Sequence, residues 1–220
     1  MDFLRRTRGY NLNEIMNSKS ALTRINRIVQ VCEGPAIMTT SGGEFSALLP
    51  HLVRRASGKD IPLIFVDTKH YSKPTYDMIE YLQQQDFDVR IYASRYTQEE
   101  ILADYPDWWN DSDEHFSQTV FEEVVKKIKH DPLERAMSEI QPEMWLSGLT
   151  GFKTNERSNK SVIEYNAMEI VKLHPIIDWD IEEVESYLEW HSLPKNQHHF
   201  DITKGLSQKN ECGIHTTFGE

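Results

Sequence analysis

Hydroxyl side chains and glycines follow a short apolar segment near the start of the chain. Residues 36–53, AIMTTSGGEFSALLPHLV, predict a strand, a polar turn and a helix in that order. Glycines let the backbone approach a ligand closely, and the free N–H groups at a helix start attract anions. The turn is therefore a candidate phosphate cradle, and its members are Thr39, Thr40, Ser41, Gly42 and Gly43. The alternative is an ordinary connection between a strand and a helix that binds nothing.

A second pair of polar side chains ends the next apolar run. Residues 61–66, IPLIFV, are typical of a strand buried on both faces, and Asp67 and Thr68 follow it. Open α/β sheets bind their ligands at the carboxyl ends of parallel strands. We therefore expect Asp67 and Thr68 to line the same pocket as the glycine turn.

Strands and helices alternate along the rest of the chain. This order predicts a doubly wound α/β fold, with a mostly parallel sheet and helices on both faces. We assign residues 1–195 to one nucleotide-binding domain, with an amphipathic helix at 11–31, and residues 196–220 to a flexible C-terminal tail. The other predicted elements are a helix from Ser72, a strand at 87–93, a helix with a capping box at Thr97 and Glu100, helices at 116–129 and 132–140 with Asp131 as N-cap, strands at 144–146 and 171–177, and a helix at 181–190 capped by Asp180.

The composition restricts the kind of partner and the cellular setting. The formal net charge of −11 argues against a duplex nucleic acid as the main partner. We find no apolar run long enough to cross a membrane and no secretion signal in the first residues, MDFLRRTRGYNLNE. The two cysteines, Cys32 and Cys212, suit a reducing cytoplasm, where we expect the protein to act. We predict that Cys32 is a small buried hydrophobe.

Several segments resemble one known family, the phosphoadenylyl-sulfate (PAPS) reductases. The most specific pieces are HPIIDWD, within residues 171–194, and ECGIH near the end of the chain. TTSGGEFSALL occupies the place of the family's modified phosphate loop, and LIFVDTKHYSKPTYDMIEYL resembles its strand-Asp-Thr-Gly-helix segment. DPLERAMSEI, WLSGL and GLTGFKTNERSNKS are similar to the helix before its arginine motif and to the motif itself.

This resemblance implies a fold of the adenine nucleotide alpha-hydrolase-like type and a reaction in two steps. In the first step, a cysteine thiolate attacks the sulfur of a sulfonucleotide and releases adenosine 3′,5′-bisphosphate. Thioredoxin or glutaredoxin then reduces the enzyme-bound S-sulfocysteine and frees sulfite. The resemblance also suggests a homodimer.

The resemblance assigns Cys212 as the nucleophile, assisted by Glu211 and His215. The chemistry of the segment agrees, because the nucleophile must be a thiolate and a nearby imidazolium lowers the pKa of a thiol. Two alternatives stay open. One is an inert surface thiol. The other is that ECGIHTTFGE corresponds to the family's inner G-D-x-H-T-T element, in which case the chain lacks its nucleophile.

The family's arginine motif, G-L-R-R-E-x-S-x-x-R, is only partly present. Gly148 matches its first position, while Thr154 and Arg157 stand in place of the serine and the final arginine. The paired arginines are replaced by Thr-Gly at residues 150–151. Because an anionic substrate needs cations, we expect Lys153 to help Arg157 hold it, with Gly148 and Thr154 nearby. The competing interpretation is a solvated polar loop.

Cofactors are not expected, and two other functions stay open. Two distant cysteines cannot supply the four ligands of an iron–sulfur cluster, so we predict no cluster. We also predict no metal site, since the histidines lack a ligand pattern; the candidates were His191, His198, His199 and His215.

The turn resembles the S-G-G-x-D-S loop of ATP-using relatives, although Phe45 replaces the aspartate. The alternatives are an ATP-using adenylyltransferase or sulfur-transfer protein, and a non-catalytic nucleotide binder.

Overall fold

A single sheet forms the centre of the computed structural model, which describes residues 12–110, 114–165 and 170–205. Its strands are β1 (Ala36–Thr40), β2 (Leu63–Asp67), β3 (Val89–Ala93), β4 (Met144–Leu146), β5 (Ile163–Tyr165) and β6 (Val171–Leu173). Their order across the sheet is β3-β2-β1-β4-β6-β5. Neighbouring strands are parallel except β5 and β6, which are antiparallel.

The helices and helical turns connect these strands. They are α1 (Leu12–Asn17), α2 (Ala21–Val31), α3 (Leu48–Ser57), α4 (Lys73–Gln84), α5 (Gln98–Asp104), α6 (Gln118–Val125), a π-helical turn (Lys126–His130), α7 (Asp131–Ile140), α8 (Asn155–Ser158), α9 (Ile181–Trp190), and 3-10 turns at Gly151–Lys153 and Ile202–Lys204. The N-caps predicted at Thr97 and Asp180 are confirmed, and both form capping boxes. In the described part of the chain, no helix has the length and apolarity that a membrane crossing needs.

Helices cover both faces of the sheet. Successive side chains of a strand point to opposite faces, so Met38 and Ile37 of β1 enter two different cores. The larger core packs α2, α3, α4 and α9 against one face, and Leu52 of α3 is completely buried there. The smaller core packs α7 against the other face through Leu133. The predicted doubly wound α/β fold is therefore confirmed.

The predicted helix at 11–31 is in fact two helices. α1 ends at Asn17, and α2 begins after Ser20, which has an extended backbone. The Ser20 hydroxyl accepts a hydrogen bond from the backbone N–H of Thr23. A serine N-cap satisfies one of the free N–H groups at a helix start, which is why the chain divides here.

The prediction of Asp131 as an N-cap is also wrong. α6 continues through the π-helical turn into α7, and Asp131 itself has helical angles, φ −57° and ψ −42°. A π-helical turn adds a residue to a helix and is frequent at functional sites. This one carries Lys129, whose side chain is buried.

The region after β4 differs from its prediction in two respects. The strand predicted at 171–177 ends at Leu173, and the chain then turns, with the backbone N–H of Ile177 donating to the carbonyl of His174. Strand β5 is an additional element, too short to give a periodic pattern. Buried Arg24 of α2 forms an ion pair with Asp178 and so fastens the N-terminal helices to this region.

Residues 196–205, the first part of the predicted tail, pack against the domain, and we call them the strap. Asn196, Asp201 and Thr203 of the strap are buried. The folded part of the chain thus extends beyond the boundary predicted at 195. The rest of the predicted tail, with Glu211, Cys212 and His215, lies outside the described residues.

Candidate active site

A cavity of about 450 Å³ lies at the carboxyl ends of the central strands β1 and β4. It is bordered by the glycine turn, the loop after β4, the π-helical turn and the strap. It brings together seven of the residues that the sequence predicts: Thr39, Thr40, Ser41, Gly43, Gly148, Lys153 and Arg157. The site thus lies where an open parallel sheet is expected to bind ligands.

Three hydrogen bonds hold the glycine turn in place. The Trp145 indole N–H donates to the Thr39 hydroxyl over 2.9 Å, so the hydroxyl proton of Thr39 is available to a ligand. The backbone N–H of Gly42 donates to the Thr40 hydroxyl, and the carbonyl of Gly42 accepts from the Asn196 amide over 2.7 Å. Helix α3 begins only at Leu48, later than predicted, so the turn is not directly at a helix start.

Two cationic side chains that follow β4, Lys153 and Arg157, line the cavity. The Lys153 ammonium is 2.9 Å from a Glu44 carboxylate oxygen and 4.4 Å from the centre of the Phe45 ring. Arg157 lies in the short helix α8, where its backbone N–H donates to the hydroxyl of Thr154. Thr154 thus acts as the N-cap of that helix. Lys153 and Arg157 thus place positive charge in the cavity wall, and Glu44 partly neutralises that of Lys153.

In the part of the chain that the structure describes, four of the predicted residues do not line the cavity. They are Gly42, Asp67, Thr68 and Thr154. Asp67 accepts hydrogen bonds from the Tyr76 hydroxyl and from the backbone N–H of Lys69. Thr68 is fully buried, and its hydroxyl accepts from the backbone N–H of His70. The end of β2 thus shapes the turn that follows it. Cys212, His215 and Glu211 lie outside the described residues.

A buried ion pair in the cavity wall was not predicted. The Lys129 ammonium is 2.5 Å from a carboxylate oxygen of Asp201 and 2.6 Å from the Thr203 hydroxyl. Burial raises the pKa of the Asp201 carboxyl, but Lys129 and the hydrogen bonds from Lys129 and Thr203 outweigh it and lower this pKa to about 2. The Asp201 carboxylate therefore stays charged at neutral pH. In the sequence Lys129 is one of three lysines in KKIKH, and nothing in that segment identifies its partner.

The imidazole of His199 is a second unpredicted part of the cavity wall. Its Nδ1 lies 3.1 Å from the Thr75 hydroxyl, and its ring centre lies 5.8 Å from that of Tyr71. Desolvation lowers the pKa of His199 to about 4, against the opposing effect of Asp201. Lys204 and Lys129 lower it further. In the sequence analysis His199 was considered only as a metal ligand, and that role was rejected.

Comparison with known proteins identifies the family. Residues 35–202 match the family model described as the phosphoadenosine phosphosulfate reductase domain. The chain belongs to this family. A phosphoadenosine 5′-phosphosulfate reductase of Erwinia tasmaniensis is 30% identical, over 93% of this chain and 91% of that one. The corresponding reductase of Vibrio atlanticus is 28% identical, over 95% of this chain and 87% of that one.

A solved structure supports the same fold. The phosphoadenylyl-sulfate (PAPS) reductase of Candida auris, in a phosphate complex, superposes with a TM-score of 0.69 at 23% identity. The superposition covers 84% of this chain and 86% of that one. The adenine nucleotide alpha-hydrolase-like fold and the PAPS reductase family, both expected from the motifs, are thus confirmed.

Cys32, one of the two cysteines of this PAPS reductase family member, is a core residue as predicted. It is 7% exposed, and its thiol donates a weak hydrogen bond to the carbonyl of Gly34. Burial raises the pKa of the Cys32 thiol. A thiol must ionise to act as a nucleophile, so Cys32 is poorly suited to that role.

Replacing Gly42 by alanine will weaken both the fold and the site. Gly42 has φ +66°, and a Cβ there would lie 2.6 Å from the Thr75 side chain. We expect a loss of about 1–3 kcal/mol in the free energy of unfolding, measured in urea, and weaker nucleotide binding. Gly58→Ala is the matched control, because Gly58 has φ +63° and open space around it. It should cost about 1 kcal/mol and leave nucleotide binding unchanged; equal effects of both variants on binding would contradict this role of the turn.

Acid will destabilise the protein through His199. Its pKa is about 4 in the folded chain and about 6.5 in an unfolded one, so the unfolded chain binds more protons between these values. The free energy of unfolding should therefore fall by about 2 kcal/mol as the pH decreases from 6.5 to 4. His199→Gln, which cannot titrate, should flatten this part of the pH profile. An unchanged slope would contradict the assignment.

Proposed function

We propose that this protein reduces phosphoadenylyl sulfate to sulfite and adenosine 3′,5′-bisphosphate, with electrons from a thioredoxin-type dithiol. The observation that carries the proposal is the family match over residues 35–202. That range includes nearly all of the residues that line the cavity. The cavity adds chemical support. A hydroxyl-rich glycine turn and the cationic side chains of Lys153 and Arg157 line it together, which suits a ligand with several negative charges.

The chemistry requires a nucleophilic thiolate, and we propose that Cys212 supplies it. The thiolate attacks the sulfonate sulfur, and the bond between sulfur and the bridging phosphate oxygen breaks. Its electron pair leaves with adenosine 3′,5′-bisphosphate, and Cys212 carries an S-sulfo group. A thiolate of thioredoxin or glutaredoxin then attacks the Cys212 sulfur and expels sulfite. The second thiol of the reductant resolves the mixed disulfide, so that two electrons are transferred and Cys212 is regenerated.

Two observations support Cys212. The other cysteine, Cys32, is buried with a raised pKa. In addition, Lys204 at the end of the strap lines the cavity. Cys212 is seven positions after Gly205, and a segment of that length spans at most about 25 Å. Such a segment is long enough for a thiol at its end to reach the cavity.

We propose the following roles for the other residues. Glu211 and His215 assist Cys212, and His215 favours its thiolate when protonated. Ser41, Gly43 and the hydroxyls of Thr39 and Thr40 hold phosphate oxygens, while Lys153 and Arg157 hold the remaining anionic groups. Gly42, Gly148 and Thr154 shape the backbone around them, and Asp67 and Thr68 fix the turn after β2.

We also propose the absence of an iron–sulfur cluster, a homodimeric assembly and a cytoplasmic location. The first follows from the chain's two cysteines, since a four-iron cluster needs four ligands. The second and third rest on the family resemblance and on the cysteine content. Light scattering on the purified protein and its absorption spectrum test the assembly and the cluster directly.

A non-catalytic nucleotide binder is the second candidate, and one observation favours it. Thr150 and Gly151 replace the family's paired arginines. The backbone N–H of Gly151 donates to the carbonyl of Ile177, and a Cβ at residue 151 would lie 2.8 Å from that oxygen. The backbone here thus passes too close to Ile177 for a side chain.

Release of sulfite distinguishes the candidates. The protein should release sulfite from phosphoadenylyl sulfate only when thioredoxin or glutaredoxin is present, and adenylyl sulfate should be assayed in parallel. Tight binding with no sulfite after prolonged incubation would favour the non-catalytic binder. Release of pyrophosphate from ATP by the Cys212→Ser variant would instead favour the ATP-using alternative.

A further inference from the structure

We infer that His199 is a nucleotide-binding residue, whose Nε2–H donates a hydrogen bond to an anionic oxygen of the ligand held by the glycine turn. The inference deepens the proposed function, because it takes the ligand to be a phosphorylated adenine nucleotide. His199 belongs to the strap, so this contact would make the strap a part of the binding site.

The hydrogen bonds around Thr75 determine which ring nitrogen of His199 carries the proton. The Asn196 amide donates to the Gly42 carbonyl over 2.7 Å and to the Thr75 hydroxyl over 3.4 Å. Because the Thr75 oxygen accepts from Asn196, its own proton can point to His199 Nδ1, which lies 3.1 Å away. Nδ1 is then the acceptor, and the neutral ring carries its proton on Nε2.

The Nε2 atom has no hydrogen-bond partner among the described residues and is shielded from solvent. A buried donor without an acceptor is unfavourable, and such groups in folded proteins call for an explanation. An acceptor that comes with the ligand supplies one, because the same imidazole lines the cavity.

The position of Gly43 indicates which part of the ligand supplies the acceptor for His199 Nε2. A Cβ at residue 43 would lie 3.0 Å from the Ser41 hydroxyl oxygen, 3.3 Å from His199 Cδ2 and 3.5 Å from His199 Nε2. The hydroxyl and the imidazole edge therefore meet at the glycine turn, where the phosphate is proposed to bind. A phosphate oxygen bound at this edge of the turn would lie next to Nε2.

The charge of the surroundings agrees with a neutral donor. Lys129 and Lys204 act against protonation of His199, while Asp201 favours it, and desolvation keeps the ring neutral. A neutral imidazole adds a directed hydrogen bond without another charge, whereas the charged side chains of Lys153 and Arg157 attract any anion. His199 would therefore favour a correctly placed phosphate over other anions.

Binding of the reaction product tests this role without any turnover. Adenosine 3′,5′-bisphosphate and uncharged adenosine are titrated into the protein in a calorimeter. His199→Phe should weaken bisphosphate binding at least about tenfold and change adenosine binding less than about twofold. His199→Gln places an amide N–H near the Nε2 position and should restore most of the affinity. The exposed neighbour provides the matched control, and His198→Phe should leave both affinities unchanged.

Nitrogen-15 NMR spectra of the histidine rings provide a second measurement. A purely structural role of His199 would not make its resonance change when the nucleotide binds. They should show the Nε2–H form of His199 in the free protein and a shift of that resonance when the bisphosphate binds. Equal bisphosphate affinity of His199→Phe and the parent, or an Nδ1–H form, would overturn the inference alone. A parent protein that binds neither ligand would overturn the proposed function and this inference together.

Discussion

Cys212→Ser will lower reductant-dependent sulfite release by more than about a thousandfold, because the hydroxyl cannot replace a thiolate as the attacking group. The affinity for adenosine 3′,5′-bisphosphate should stay within about twofold of the parent, since the product does not need the nucleophile. Sulfite release with saturating thioredoxin and binding by calorimetry measure the two effects separately.

Cys32→Ala is the control for this experiment. Cys32 is buried in the larger core, so its replacement should cost some stability and leave sulfite release nearly unchanged. The opposite pattern, with Cys32→Ala inactive and Cys212→Ser active, would contradict the assignment of the nucleophile. Full activity of both variants would contradict a cysteine mechanism altogether.

Breaking the Lys129–Asp201 ion pair will destabilise the protein strongly. The two side chains are at most 2% exposed, so Lys129→Met leaves a buried carboxylate without its partner, and Asp201→Leu leaves a buried ammonium. Each single variant should lose about 3–5 kcal/mol of unfolding free energy in urea. The double variant should recover most of this loss, because replacing both charges by apolar groups removes the unpaired charge.

Lys73→Met is the matched control for a lysine that loses its ion pair. Lys73 pairs with Asp77 on the surface, with side chains 83% and 51% exposed, and its loss should leave the free energy of unfolding nearly unchanged. If Lys129→Met lowered the free energy of unfolding no more than Lys73→Met does, the buried pair would not be the interaction that holds the strap against the π-helical turn.

Local sequence patterns were sufficient for the central strands of the sheet and for part of the site. The apolar runs at β1, β2 and β4 and the caps at Thr97 and Asp180 involve residues close in sequence, so their pattern is readable. The glycine turn was found for the same reason. Its placement at the edge of the sheet follows from the parallel order of the strands.

The missed parts of the site depend on contacts between distant residues. Lys129 and Asp201 are 72 positions apart, and His199 and Thr75 are 124 positions apart. Neither pair has a spacing that predicts its contact, and a lysine or histidine is usually a surface residue. The π-helical turn that aims Lys129 inward also has no sequence signature here, which explains the wrong helix start at Asp131.

Mass spectrometry of the protein after exposure to phosphoadenylyl sulfate, with no reductant present, tests the mechanism most directly. We predict that the peptide containing Cys212 gains the mass of one SO₃ group, and that thioredoxin removes this group as sulfite. An adduct on Cys32, or release of sulfite with no adduct on Cys212 at any time, would contradict the account.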